Sequence, residues 1–196
     1  DQLPPGHYAI SDADGFRVMP YFRMEFPQRG AEPSQDLAVN AAGLRERIVE
    51  ATRLRFLRSD VPVGAYLSGG IDSSVTAAVI RKFTDAPLST FSLRFADAEF
   101  DEGIYQREMS RTLGTDHAEV VVSASDIAGV FPDVVRHAEA PLLRAAPAPM
   151  FLLSQLVHDN GYKVVVTGEG ADEVLGGYDL FREARARTFW ARDPES

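Results

Sequence analysis

An apolar run, Val61 to Leu67 (VPVGAYL), empties directly into Ser68-Gly69-Gly70-Ile71-Asp72-Ser73-Ser74, and the apolar-periodic stretch SSVTAAVIRKF follows at once. Such a short apolar run bounded by glycine reads as a buried strand, and the stretch after it as a helix. A strand that turns through a glycine loop into a helix is the first half of a parallel crossover, so it commits this part of the chain to a parallel sheet. The same junction has a chemical meaning. A helix opening on a glycine loop presents unpaired amides and roughly half a unit of positive charge to whatever sits above it. Gly69 and Gly70 let backbone come close to a phosphate, while Ser68, Ser73 and Ser74 add hydroxyl donors, one of which can cap the helix. The loop is not of the GxxxxGK[ST] type, and no lysine lies near it. A serine-capped Gly-Gly turn would explain two glycines alone, but not the whole ordered set of strand, serine, glycines, acid, serines and helix.

The alternation continues. LSTFSLRF (88–95) reads as a strand, Gly103 to Leu113 as a helix, AEVVV as a strand, Asp126 to Ala138 and Pro149 to Asn160 as helices, and Tyr162 to Thr167 as a further strand. Near-continuous apolar strands alternating with helices predict an α/β fold, a parallel sheet with helices on both faces. Upstream, a helix is expected from Asp36 or Ser34 to about Leu57, with Leu37, Leu44, Ile48 and Ala51 on its apolar face. Residues 1–33 carry short strand-like pieces, Gly15 to Met19 and Tyr21 to Phe26, among prolines and glycines.

Asp72 is the odd residue of the first loop, because a carboxylate repels a phosphate unless a cation lies between them. Magnesium suits that bridge and commonly takes one or two carboxylates. The last strand supplies a second candidate: YKVVVT runs into Gly168-Glu169-Gly170-Ala171-Asp172-Glu173 and on to Gly176-Gly177-Tyr178. In open parallel sheets ligands bind beyond the carboxyl ends of the strands, so both loops can face one pocket. Asp172 is then the second metal ligand expected, and Glu169 is placed to act as acid, base or charge stabiliser.

Composition excludes several classes. The 196 residues contain no cysteine, which removes disulfides, thiolate metal sites and a cysteine nucleophile from this chain. A net charge of −9, with lysine only at positions 82 and 163, argues against a broad nucleic-acid surface. Neither a membrane span nor a signal peptide is visible, which predicts a soluble, cytoplasmic protein with no membrane partner.

SGGIDSS resembles the pyrophosphate-binding loop of the ATP pyrophosphatase (PP-loop) superfamily, with its adenine nucleotide alpha hydrolase-like fold. TGEGADEVLGGY resembles the matching segment of the glutamine-dependent asparagine synthetases, a likeness that also takes in SDVPVGAYLSGGIDSS, STFSLRF, FDEGIYQREMSRTLGTDHAEVVVS and PAPMFLLSQL. The resemblance implies that ATP adenylates the side-chain carboxylate of aspartate, pyrophosphate leaves, and ammonia from glutamine gives asparagine and AMP. It implies that Ser68, Gly69, Gly70, Asp72, Ser73 and Ser74 meet the pyrophosphate, that Leu67, Leu93, Thr167 and Gly168 surround the adenosine, that Asp72 and Asp172 hold Mg²⁺, and that Glu169 meets ammonia or the tetrahedral intermediate. It further implies that residues 1–33 are the tail and linker of a preceding glutaminase domain and that 34–196 are the N-terminal part of the synthetase domain. The chain is therefore expected to be a piece truncated at its C-terminal end, inactive alone, from a protein that can form a homodimer.

Other readings stand beside these. A related enzyme closing a β-lactam or a peptide ring, and a nucleotide-binding module without catalysis, would share the first loop. Arg144, in APLLRAAP, can meet a substrate carboxylate or a phosphate through its planar fork, or can be a solvated loop residue. The four histidines, His7, His117, His137 and His158, show no ligand spacing. The run Asp97, Glu99, Asp101, Glu102 reads as a solvated loop rather than a lid, and Phe189 and Trp190 as packing residues.

Overall fold

The structure, a computed structural model, describes residues 2–25, 31 and 36–190. They fall into two compact units, Asp1–Gly43 and Leu44–Ser196. The first contains an antiparallel hairpin of β1 (His7–Asp12) and β2 (Gly15–Pro20), joined by a two-residue turn at Ala13-Asp14 with Asp12 opposite Gly15. The expected strand at Gly15 to Met19 is β2. Residues 21–25 are not strand, and Phe26 lies outside the described residues. Residues 21–25 have no ladder partner among the described residues: the amides of Tyr21 and Phe22 both donate to the carbonyl of Gly6.

Helix α1 (Leu37–Leu57) begins where expected, because the Asp36 carboxylate accepts from the amide of Ala38 at 2.6 Å; Ser34 lies outside the described residues. The buried face differs from the expected one. Thr52 and Phe56 are buried and Ile48 is half-buried, whereas Leu37 and Leu44 are exposed. Only the C-terminal half of the helix reaches apolar partners, and positions 48, 52 and 56 form one i, i+4 stripe there.

In the second unit four strands form one parallel sheet in the order β5-β4-β3-β6: β3 (Val63–Tyr66), β4 (Ser89–Phe95), β5 (Asp116–Val122) and β6 (Val164–Val166). Between them run α2 (Ile71–Phe83), α3 (Gly103–Leu113), α4 (Ala124–Ala138) and α5 (Pro147–Asp159), followed by α6 (Ala171–Leu175) and α7 (Asp179–Trp190). The chain builds outward from β3 to β5, then crosses back through α4 and α5 to lay β6 on the other side of β3. That reversal puts a topological switch point at the carboxyl ends of β3 and β6.

Alternation along β3 and β4 divides the core between the two faces. Val63, Ala65 and Leu67 pack with Phe56, Ala77, Ile80 and Leu88 on one side. Tyr66 and Leu93 join Phe91, Leu153 and Val157 on the other. Each fully buried Leu or Ile of this kind contributes about 1.5–3 kcal/mol, so the sheet is held from both faces. Strand β6 is shorter than the six residues expected. It pairs with β3 only from Val164 to Val166, while Tyr162 turns its ring edge-on to Phe91 and bonds Ser89 Oγ through its hydroxyl at 2.7 Å. Helix α4 starts two residues early because Ser123 and Asp126 close a capping box. Among the described residues no helix is long and apolar enough to cross a membrane.

Candidate functional site

The loop after β3 is folded by its own hydroxyls. Ser73 Oγ accepts from the amide of Ser68 at 3.1 Å, lies 2.8 Å from Ser68 Oγ and donates to the carbonyl of Gly70. The helix cap is Gly70, with no side-chain cap bond, so the expected serine cap is not formed. The serines stiffen the loop instead. Gly69 is demanded by φ of +86° and by its contact with α3, where an added Cβ would stand 3.0 Å from Tyr105 Cβ.

The loop after β6 meets this one through Gly168. A Cβ there would lie 2.9 Å from Asp72 Cβ and 3.0 Å from both the Asp72 carbonyl carbon and the Ser73 amide nitrogen. Absence of a side chain lets the end of β6 rest on the first turn of α2. The two acidic loops therefore line one cavity of about 520 Å³ at the switch point.

Leu67, Ser68, Asp72, Ser73, Leu93, Thr167, Gly168, Glu169 and Asp172 all line that cavity. Gly69 and Gly70 shape the loop from outside the lining, and Ser74 is buried on α2. Arg144 is exposed in the segment before α5, where Ala146 lines the cavity but Arg144 does not. Leu67 offers the cavity its surface, since its amide donates to Phe91 and its carbonyl accepts from the Ser92 hydroxyl.

Charge in the cavity is one-sided. Asp72, Glu102, Glu169, Asp172 and Glu173 line it with no Lys or Arg among the described lining residues. The Tyr178 hydroxyl donates to Glu173 Oε1 at 2.9 Å, and that bond, then burial, then the charges of Glu173, Asp172 and Glu169 push the phenol above its ordinary 10.0. No group of three or more acidic, histidine or cysteine side chains forms a ready metal cage among the described residues. Two half-buried carboxylates on facing loops, Asp72 and Asp172, fit an ion such as magnesium that keeps water and phosphate oxygens in its remaining positions.

Several lining residues are not legible as site residues in the sequence. Phe95 and Phe100 meet edge-on with centroids 6.4 Å apart, giving the cavity an aromatic wall. The segment carrying Phe100 and Glu102 is tied down by Asp101, which accepts from Nε and Nη2 of Arg94 at 3.0 and 2.5 Å. Arg94 also reaches Glu119 at 3.2 Å, and Arg107 grips the same Glu119. Asp101 is thus not simply solvated, whereas Glu102 is exposed at the cavity. Among the histidines, His117 is half-buried and its Nδ1 meets Thr90 Oγ1 at 2.9 Å; burial pulls its pKa below the ordinary 6.5. Phe189 is exposed, and the Trp190 side chain lies outside the described residues.

A parallel α/β sheet with a serine-glycine loop and a facing acidic loop at its switch point defines a class of nucleotide-type anion-binding folds. The U34-tRNA thiolase NcsA of Methanococcus maripaludis has a similar fold, with a TM-score of 0.50 at 15% identity over 78% of this chain and 57% of its own. The chain belongs to the asparagine synthase family, whose model, described as Asparagine synthase, matches residues 43–195. It is 32% identical to asparagine synthetase [glutamine-hydrolyzing] 1 of Bacillus subtilis, over 92% of this chain and 27% of the relative. It is 35% identical to amidase chyE of Penicillium rubens, over 91% of this chain and 29% of that protein. The chain thus spans under a third of the length of these curated relatives.

Proposed function

We propose that the protein containing this chain is an ATP-dependent carbon–nitrogen ligase that amidates a carboxylate, with aspartate as the acid and asparagine as the product. The observation that carries this reading is the shared cavity, in which a serine-glycine loop opening a helix faces an acidic loop. An aspartate carboxylate oxygen attacks the α-phosphorus of ATP, and the bond to the bridging oxygen breaks as pyrophosphate leaves. Ammonia then attacks the acyl carbon, AMP departs, and Glu169 takes the proton that nitrogen must lose. Ser68 and the amides around Gly69 and Gly70 hold the pyrophosphate end, while Leu67, Leu93, Thr167 and Gly168 border the adenosine. Asp72 and Asp172 would hold magnesium, which when bound neutralises phosphate charge. Arg144 remains a candidate for the substrate carboxylate, reached from the loop before α5.

In this reading residues 1–33 end a glutaminase domain, residues 34–196 open the synthetase domain, glutamine supplies the ammonia, and the protein works in the cytoplasm as a homodimer. Its other segments would complete the active site. The intact protein should release AMP and pyrophosphate from ATP, aspartate and ammonia; release of ADP and phosphate instead would overturn adenylation. Glu169→Ala should keep ATP binding and lower turnover by about 10²–10⁴-fold, the scale of a lost acid–base group. Unchanged turnover would take Glu169 out of the reaction.

A second reading, in which a relative of the asparagine synthetases amidates another acid, is supported by the 35% identity to two amidase-named proteins. Pyrophosphate release with a panel of carboxylic acids in place of aspartate separates the two. A faster reaction with another acid would transfer the assignment to it.

A further inference from the structure

Gln106, on α3, is only 3% exposed yet lines the cavity. Its side-chain amide donates to two carbonyls, Ser68 at 3.3 Å and Leu93 at 3.0 Å. One is the first residue of the serine-glycine loop and the other lies near the carboxyl end of β4. A side-chain amide nitrogen has two protons, so these bonds commit both and fix the amide's orientation. Its oxygen, Oε1, is buried without a partner among the described residues. Leaving a buried acceptor unpaired is unfavourable, and a polar side chain offers a packed core little that a methionine of similar length would not. The arrangement sacrifices stability for position.

We propose that Gln106 is a positioning residue for nucleotide binding, a brace that fixes the gap between the serine-glycine loop and β4. The proposal rests on the ATP reading above for the identity of the ligand, but the brace itself is a property of the loop. Close packing agrees with it: a Cβ on Gly69 would lie 3.3 Å from the Gln106 backbone nitrogen and 3.5 Å from its Cγ. The loop is thus seated on the residue that also ties it to β4. Remove the two bonds and the loop keeps its own serine contacts and the bonds of Leu67 to Phe91 and Ser92, but Ser68 loses its tie to the end of β4 at Leu93. Affinity should fall for the part of a ligand that spans both.

Gln106→Met in the intact protein removes both donors and the orphan acceptor while keeping length. The expected result is a KM for ATP and a Kd for AMP raised about tenfold, the scale set by losing one or two net hydrogen bonds. The kcat at saturating ATP should stay within about twofold, and the melting temperature should fall only slightly, since the variant removes one orphan acceptor but leaves the Ser68 and Leu93 carbonyls without this donor. Hydrogen exchange of the 69–71 amides should quicken in the same variant without ligand. Unchanged exchange together with unchanged KM would overturn the brace. Gln106→Glu guards against a folding artefact, since it keeps shape while setting oxygens against two carbonyls, and it should weaken AMP binding at least as much. Tight AMP binding by this variant would also overturn the proposal. If exchange quickens in Gln106→Met but the unaltered protein binds no adenine nucleotide, the brace stands and the ATP reading falls.

Discussion

Gly168 shows how one missing side chain decides a site. A Cβ on it would lie 2.9 Å from Asp72 Cβ, closer than side chains approach, and 3.0 Å from the backbone of Asp72 and Ser73. Neither neighbour is the flexible end of a side chain, so Gly168→Ala must push the two loops apart. A cost of about 1–3 kcal/mol is expected, the usual range for overpacking, with nucleotide binding lost alongside. Gly129→Ala is the matched control. Gly129 lies within α4 with nothing inside 4 Å of a built Cβ, so alanine there should stabilise by about 0.5–1 kcal/mol. Urea denaturation of both variants checks the pair, and equal effects would mean that Gly168 packs no more tightly than an open helical position. The sequence shows that Gly168 follows a strand, but not that it rests on Asp72. That contact joins residues almost a hundred positions apart and depends on β6 pairing beside β3.

At the scale of elements, the strands and helices were legible because each apolar run and each periodic stretch is local information. Helix α3 falls on its expected bounds, and β4 and α5 within a residue or two. What the local pattern could not show was which half of α1 finds a partner, or that β6 is an edge strand paired over three residues. It also hid the clamp on the 97–102 segment, where a charge run looks the same whether solvated or paired. Asp101 makes that distinction testable. Its hydrogen bond to Arg94 holds its carboxyl below the ordinary 3.8. A carboxylate depressed in the folded state adds stability above its unfolded pKa and loses it as pH falls through the folded value. The protein should therefore lose stability below about pH 4 partly through Asp101, on the usual carboxylate scale. Asp101→Asn should be less stable at pH 7 and show a shallower decline in acid, read by denaturation at fixed ionic strength. An identical acid slope in the variant would mean the clamp is not what Asp101 contributes.

The whole molecule poses an electrostatic problem that its fold only half solves. A chain of net charge −9 offers a polyphosphate a cavity lined by five carboxylates and, among the described lining residues, no basic side chain. Backbone dipoles at the start of α2 attract phosphate, but they act at one end of the cavity and carry only about half a charge. Against a ligand with several negative charges, that is not enough without a cation between the acids and the phosphates. The prediction is that ATP stabilises the protein only together with Mg²⁺. A ligand at a hundred times its Kd adds about 2.7 kcal/mol, so denaturation with saturating ATP and Mg²⁺ should show a stabilisation of that size. With EDTA and the same ATP at matched ionic strength, little of it should remain, because screening is held constant and only the bridging charge is removed. Asp72→Asn and Asp172→Asn should each reduce the Mg²⁺-dependent part while leaving the protein folded, since both groups are only half-buried. An equal stabilisation in EDTA would mean that cationic groups outside the described lining hold the phosphates, and Asp72 and Asp172 would then need another role.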